Sequence, residues 1–167
     1  MKTAHPGLIR SGIGTLHIPE GTVAGEFVTI RGETWYRIGR YDLIPPFFMS
    51  VVSGSDHWLF VSSTGGLTAG RGNADRALFP YYTDDRVAEN HANTGPVAVF
   101  LVERGAERYL WEPFASLGAG PYRTERNLYK NELCSALCFE ERNIDLGLTY
   151  RYAWRTGDQF GFVKTSV

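Results

Sequence analysis

The sequence feature that most constrains the fold is an alternation of apolar and polar residues near the end of the chain. Large apolar side chains occur at every second position: Leu146, Leu148, Tyr150, Tyr152 and Trp154. Successive side chains of a strand point to opposite faces, so this segment predicts a strand with one buried face. The polar turn at 156–159 and the apolar residues after it predict an antiparallel hairpin.

The rest of the chain is divided into short segments by nineteen glycines and eight prolines. Between them, apolar residues recur with period two more often than with the helical period of about 3.6 residues. Strands with one apolar face bury those faces when two sheets stack on each other. The sequence therefore predicts an all-β fold, a two-layer antiparallel β-sandwich with under about 15% helix.

Two further segments predict strands that are covered on both faces. Residues 58–61 (WLFV) and 97–102 (VAVFLV) would place apolar side chains on both sides of an extended chain. Such continuous apolar runs are typical of strands in the middle of a layered structure. We therefore expect both segments to lie inside the sandwich.

Two segments have a helical pattern as well. Residues 84–91 are expected to form one or two helical turns. Residues 131–138 fit either a helix or a strand, and we favour a strand because the segment leads into the strand at 146–154. In an extended strand the Cα atoms of Cys134 and Cys138 would lie about 13 Å apart, which is too far for a disulfide. We expect two buried free thiols.

Composition excludes several classes of partner. Seventeen basic and eighteen acidic residues leave a net charge of -1, and no run of lysine or arginine occurs. This balance argues against nucleic acid or an anionic membrane held by charge. No apolar run approaches the ~20 residues of a membrane span, and the first residues do not resemble a signal peptide. We therefore predict a cytoplasmic protein with no nucleic-acid or membrane partner.

The sequence shows no linker, internal repeat or low-complexity tract. Residues 1–167 therefore predict a single β-sandwich domain. The last strand, FGFVKTSV, keeps its pattern up to Val167 without a polar tail or turn. We interpret the chain as the N-terminal part of a longer polypeptide, with a natural terminus as the alternative.

Residues 53–86 concentrate charged and aromatic side chains between two apolar runs. Carboxylates and guanidinium groups can bridge the hydroxyl pairs of a sugar, and aromatic rings can cover its C–H faces. We therefore expect carbohydrate as the ligand. The candidate ligand-binding residues are Asp56, His57, Arg71, Asp75, Asp84, Asp85, Arg86 and Trp111.

No pattern in the same region predicts a catalytic residue, a metal ligand or a cofactor site. Ser62 and Ser63 lack the Gly-x-Ser-x-Gly elbow of hydrolases. The glycines at 65–72 lack the spacing of a phosphate loop, and the aspartates lack that of an EF-hand calcium loop. Asp56 could orient the His57 imidazole for proton transfer, but a polar pair at the start of a strand is the commoner explanation.

The aspartate and arginine residues also have a structural alternative. An internal salt-bridge network could hold a long loop in place, since arginine-aspartate forks do so as readily as they bind ligands. This alternative predicts Arg71 and Asp85 buried against each other. Independently, residues 84–86 are expected to be partly buried, with a carboxylate hydrogen-bonded to an arginine or to backbone amides.

The runs GLTAGRGNADRALFPYYTDDR, DLGLTYRYAW and FGFVKTSV resemble the N-terminal β-sandwich region of large bacterial proteins related to cellobiose-type glycoside phosphorylases. The resemblance covers residues 47–167 and implies a sandwich of the galactose-mutarotase-like super-sandwich type. It also implies that a helical linker and an (α/α)-barrel follow, with the catalytic acid and the phosphate site in that barrel. The sandwich loops would then approach the sugar site or a neighbouring subunit.

The sequence thus predicts a β-sandwich domain of a glycoside phosphorylase-like or glycosidase-like protein. It would contribute carbohydrate-site loops or subunit packing and not the chemistry, with a downstream catalytic domain or a second subunit as protein partner. One alternative is a free-standing carbohydrate-binding module, for which Trp35, Trp111 and Tyr122 are the rings to inspect first. The other is a purely structural or dimerising sandwich.

Overall fold

The computed structural model of the chain describes residues 8–11, 14–79, 83–115 and 118–167. Strands make up 52% of the structure and helical segments 11%. The strands form antiparallel sheets of six, three and two strands, and the helices are short. The predicted fold class, an all-β sandwich with little helix, is therefore confirmed.

The strands in chain order are β1 (Leu8–Ser11), β2 (Gly14–His17), β3 (Ala24–Ile30), β4 (Glu33–Gly39), β5 (Phe48–Val51), β6 (His57–Ser62), β7 (Leu67–Arg71), β8 (Phe100–Arg104), β9 (Glu107–Trp111), β10 (Thr124–Asn131), β11 (Ala136–Asn143), β12 (Leu148–Gly157) and β13 (Gly161–Ser166). The described residues contain two helices, α1 (Asp84–Glu89) and α2 (His91–Thr94), together with 3-10 turns at Tyr41–Leu43 and Ala74–Arg76. The chain forms two compact units, each made of separate stretches of sequence. The expectation of a single domain stays a prediction.

The first unit comprises Met1–Pro45, Ser116–Arg155 and Lys164–Val167. Its main sheet has the strand order β13-β12-β11-β10-β4-β3, and β1 pairs with β2 in a separate hairpin. β12 and β13 are neighbours joined by a turn at residues 158–160. The predicted hairpin at the end of the chain is thus confirmed.

One face of the six-stranded sheet carries the core of this unit. The rings of Phe139 and Tyr152 stack with their centroids 4.8 Å apart, and Tyr41 meets Phe139 edge-on at 6.0 Å. Tyr152 is 3% exposed and Tyr150 is 7% exposed, as the alternation in β12 predicts. Leu148, at the start of the strand, is 37% exposed and departs from the alternation.

The prediction of a continuous strand over residues 131–138 is wrong. β10 ends at Asn131 and β11 begins at Ala136, so the intervening residues form a turn. The side chain of Asn131 closes it, since its amide donates to Ser135 Oγ at 3.0 Å and its carbonyl accepts from the Ala136 amide at 2.8 Å. Cys134 and Cys138 are free, as predicted, but they are half-buried rather than buried.

The second unit comprises Pro46–Ala115 and Thr156–Val163. It contains the three-stranded sheet β5-β6-β7 and the two-stranded sheet β8-β9. β6 lies in the centre of its sheet, as expected for residues 58–61, and Leu59 and Val61 are almost fully buried. Trp58 and Phe60, on the other face, are only half-buried, so the expected cover is complete on one face alone. The helix expected at 84–91 is also present as α1 and the start of α2.

The expectation for residues 97–102 is wrong. Only residues from Phe100 onward form a strand, and β8 pairs with β9 alone in the part of the chain that the structure describes. Val97, Val99 and Leu101 are 58%, 57% and 60% exposed. The apolar run is therefore largely exposed instead of covered on both faces.

Candidate functional site

Three of the candidate residues meet at one end of the β6–β7 pair. His57 begins β6 and lies opposite Arg71 at the end of β7. Arg71 Nε donates to both carboxylate oxygens of Asp56, at 2.9 and 3.0 Å. This hydrogen bond lowers the pKa of Asp56 below its ordinary value. The Arg71 side chain is 63% exposed and the Asp56 side chain is 50% exposed.

The His57 ring is held by a hydrogen bond and by packing. Its Nδ1 lies 2.8 Å from Ser55 Oγ, and its ring meets Phe162 edge-on at 5.6 Å. The chain at Gly161 passes so close that a Cβ there would lie 2.8 Å from the imidazole. A ring fixed in this way fits a polar residue at the start of a strand, which is the explanation that the sequence favoured.

Residues 84–86 are exposed at the beginning of α1, so the expected partial burial is wrong. The expected hydrogen bond is present, because Asp85 Oδ1 accepts from the Arg86 amide at 2.8 Å. The Thr83 hydroxyl donates to the same oxygen, and these two bonds lower the pKa of Asp85. Arg71 pairs with Asp56, so the buried pair of Arg71 and Asp85 that the structural alternative predicted is also wrong.

The remaining candidates lie apart from these groups. Asp75 is exposed in the 3-10 turn Ala74–Arg76. Trp111 is 3% exposed, and its ring packs on Phe100 with centroids 5.4 Å apart. The candidate residues of 53–86 therefore form small separate clusters, each held by its own hydrogen bonds. Tyr81 and Tyr82, two of the aromatic residues of 53–86, lie outside the described residues.

A cleft of about 720 Å³ lies within the first unit, far along the sequence from the predicted loop. Its lining combines ionisable, hydroxyl and aromatic side chains, including His17, Glu20, Arg40, Tyr122, Arg123, Thr124 and Asp145. These residues lie at or just after the ends of β2 and β4 and at the open end of the β10–β11 hairpin, where β10 begins and β11 ends. Antiparallel pairing of β10 with β11 places Thr124 opposite Asn143 and so brings residues 123 and 145 together.

The strongest contact in the cleft joins Arg123 to Asp145. The backbone amide of Arg123 donates to Asp145 Oδ2 at 2.7 Å, and its Nε donates to Oδ1 at 2.7 Å. Partial burial acts to raise the pKa of Asp145, but the hydrogen bonds from Arg123 outweigh it and the pKa is lowered. Asp145 is therefore a fixed, ionised acceptor near neutral pH, and the Arg123 side chain stays 62% exposed beside it.

Arg40 supplies a second fixed guanidinium group. Its backbone has a left-handed φ of 58°, a conformation that is uncommon for a residue with a side chain. The guanidinium donates to the Thr124 carbonyl at 3.0 Å and to Asp42 Oδ2 at 3.1 Å. Its Nε is buried and has no hydrogen-bond partner among the described residues. Backbone strain and an unsatisfied donor at one cleft residue are features that often mark a binding site.

The described lining of the cleft carries imidazole, carboxylate, guanidinium and hydroxyl groups. Its lining includes no cysteine or serine among the described residues. Cys138 lies elsewhere, and burial raises the pKa of its thiol to about 11, which keeps it protonated at neutral pH. In the part of the chain that the structure describes, no cluster of histidine, cysteine, aspartate or glutamate side chains could hold a metal ion.

Sequence reasoning named one cleft residue, Tyr122, as a ring to inspect for sugar binding, and it missed Arg40, Arg123 and Asp145. Tyr122 is half-buried in the lining, whereas Trp35 and Trp111 are buried. The signal that could have found Arg123 and Asp145 is their position as a polar pair on either side of the β10–β11 hairpin, Arg123 before β10 and Asp145 after β11.

Comparison with known proteins does not assign the chain to a family. No protein-family model matches the sequence, and no curated protein matches it either. The resemblance to glycoside phosphorylase-related proteins therefore stays a prediction.

None of the helices described is both long enough and apolar enough to cross a bilayer.

Proposed function

We propose that this chain binds a neutral carbohydrate in the cleft of the first unit, as the non-catalytic β-sandwich part of a carbohydrate-active protein. The observation that carries the proposal is the Arg123–Asp145 pair, held by two hydrogen bonds of 2.7 Å in a cleft that Tyr122 and Arg40 also line. A guanidinium and a carboxylate held side by side present donors and acceptors that can bind neighbouring sugar hydroxyls.

The size and charge of the cleft fit the same ligand class. Ligand pockets are usually about 300–1,000 Å³, and the cleft falls in this range. Arg123 is balanced by Asp145 and Arg40 by Asp42, so the paired charges leave little net attraction for an anion. A ring such as Tyr122 can cover the C–H face of a sugar while the charged pair binds its hydroxyls.

A binding role suits the electrostatics of Asp145 better than acid catalysis does. A general acid needs a pKa raised toward the working pH, whereas the pKa of Asp145 is lowered. In the parent protein that the resemblance implies, chemistry would belong to a downstream catalytic domain or a second subunit. The proposal holds equally for a free-standing module, and a cytoplasmic location stays a prediction.

The test is glycan-array screening followed by calorimetry on the best ligand, with paired variants. Asp145→Asn and Tyr122→Ala are expected to weaken binding at least tenfold, about 1.4 kcal/mol. The matched control is Asp56→Asn, which removes the carboxylate of an aspartate-arginine pair outside the cleft. Thermal melts of all variants check that the fold is intact.

Three outcomes would reject the proposal. One is the absence of binding to any glycan by the intact protein. Another is full binding by Asp145→Asn and Tyr122→Ala. The third is loss of binding in Asp56→Asn alone, which would move the sugar to residues 53–86, as the sequence first suggested.

A further inference from the structure

β3 forms one edge of the six-stranded sheet. It is seven residues long, and its neighbour in the strand order is β4. Within the described ranges, no other strand pairs with it. Six of its seven residues are exposed, as expected of an edge that no described loop or helix covers. An edge strand presents a row of open N–H and C=O groups that can pair with another strand.

The turn between β3 and β4 determines which groups are open. Arg31 and Gly32 form a two-residue turn with φ values of 53° and 82°, and Ile30 lies opposite Glu33. The residues that flank such a turn form a hydrogen-bonded pair, and hydrogen-bonded and non-hydrogen-bonded pairs then alternate. Three residues therefore direct their backbone N–H and C=O away from β4: Gly25, Phe27 and Thr29.

β3 lacks the features that usually protect an edge from pairing. Proteins place proline or lysine on edge strands, or bend them with bulges. β3 has neither residue, and its register with β4 is unbroken over all seven pairs. Its single charge, Glu26, is already bound by Arg37 at 2.6 Å. Phe27 is 73% exposed although it meets Tyr36 edge-on at 5.1 Å.

We propose that β3 pairs antiparallel with β3 of a second copy of this chain, which joins the two six-stranded sheets into one continuous sheet across a twofold axis. In this arrangement Phe27 lies opposite Phe27 of the partner subunit. Gly25 then lies opposite Thr29 of the partner subunit. Each of these pairs exchanges two backbone hydrogen bonds, so every outward N–H and C=O of the strand is satisfied.

The charges and side chains of β3 fit a second copy. In the register centred on Phe27, Glu26 lies opposite Val28 of the partner subunit, so no like charges face each other. The two exposed phenylalanines meet on the face that already carries Tyr36, which buries apolar surface at the axis. The opposite edge of the sheet, β13, carries Lys164 and is protected in the usual way.

The experiment is sedimentation equilibrium of the intact chain over a range of concentrations. Wild-type protein is expected to form a dimer, and Phe27→Lys is expected to be monomeric because two lysines would meet at the axis. The matched control is Phe160→Lys, which replaces a phenylalanine of equal exposure, 74%, in the turn before β13. It is expected to remain dimeric.

A second pair of variants tests the backbone. Thr29→Pro removes an outward N–H and should abolish the dimer, whereas Thr29→Val keeps that N–H and should leave it intact. Thermal melts establish that each variant is folded. A monomeric wild-type protein overturns the proposal, and so does a Phe27→Lys dimer. Equal dissociation by Phe160→Lys or by Thr29→Val would place the interface elsewhere.

Discussion

At the scale of single residues, the first unit contains an ion pair buried between neighbouring strands. Arg126 Nε donates to Glu141 Oε2 at 2.8 Å, and the two side chains are 8% and 2% exposed. Removing one partner takes this ion pair away from the other buried charge, which is costly in a buried position. We expect Glu141→Ala to lower the free energy of unfolding by about 3–5 kcal/mol, measured by urea denaturation.

The neighbouring cross-strand pair of β10 and β11 supplies the control. Glu125 and Arg142 are also bonded at 2.9 Å, but their side chains are 39% and 50% exposed. Water screens such a pair, so Glu125→Ala should cost no more than about 1 kcal/mol. Similar losses in the two variants would show that burial does not decide the strength of these pairs.

At the scale of elements, α1 packs closely on the β6–β7 turn. A Cβ added at Gly66 would lie 2.0 Å from the carbonyl oxygen of Val87, a buried residue of α1. The obstacle is backbone, so the helix must move. We expect Gly66→Ala to lower the free energy of unfolding by about 3 kcal/mol, the upper end of the usual cost of overpacking.

Gly157 provides the comparison for Gly66. It lies at the end of β12, and a Cβ there would meet nothing within 4 Å. Gly157→Ala should therefore change stability by under about 0.5 kcal/mol in the same denaturation experiment. A mild effect of Gly66→Ala would mean that α1 can shift away from the turn at little cost.

Local patterns predicted some elements and failed at others for physical reasons. The hairpin β12–β13 could be predicted because alternation and a polar turn are both local signals. The apolar run at 97–102 indicates a strand, but the run itself does not show whether other parts of the fold cover its faces. The turn between Asn131 and Ala136 depends on side-chain hydrogen bonds that no hydrophobic pattern records.

At the scale of the whole molecule, the fold class could be predicted from the sequence but the cleft could not. Period-two patterns indicate strands, yet they do not say that β4 pairs with β10, some ninety residues away in the chain. The Arg123–Asp145 contact spans 22 residues and exists because β10 and β11 are in one particular register. Charge density along the sequence therefore drew attention to residues 53–86 instead.

The pH dependence of stability tests the Arg123–Asp145 contact in the intact protein. The folded-state pKa of Asp145 lies below that of an unfolded aspartate, about 3.9. Its contribution is therefore fully present above pH ~3.9 and is lost as pH falls through the lowered folded-state pKa. Asp145→Asn should melt at a lower temperature than wild type near neutral pH, and the gap should close in acid.

Arg123→Gln is the companion variant, because it removes the guanidinium charge and keeps the carboxylate. Its backbone amide still donates to Asp145, so we expect a smaller loss near neutral pH than in Asp145→Asn. Both melting curves should converge on that of wild type as the pH falls, because a protonated Asp145 no longer benefits from the guanidinium. A constant gap across the acid range would mean that the two side chains contribute through packing, and the cleft would lose its fixed pair of charges.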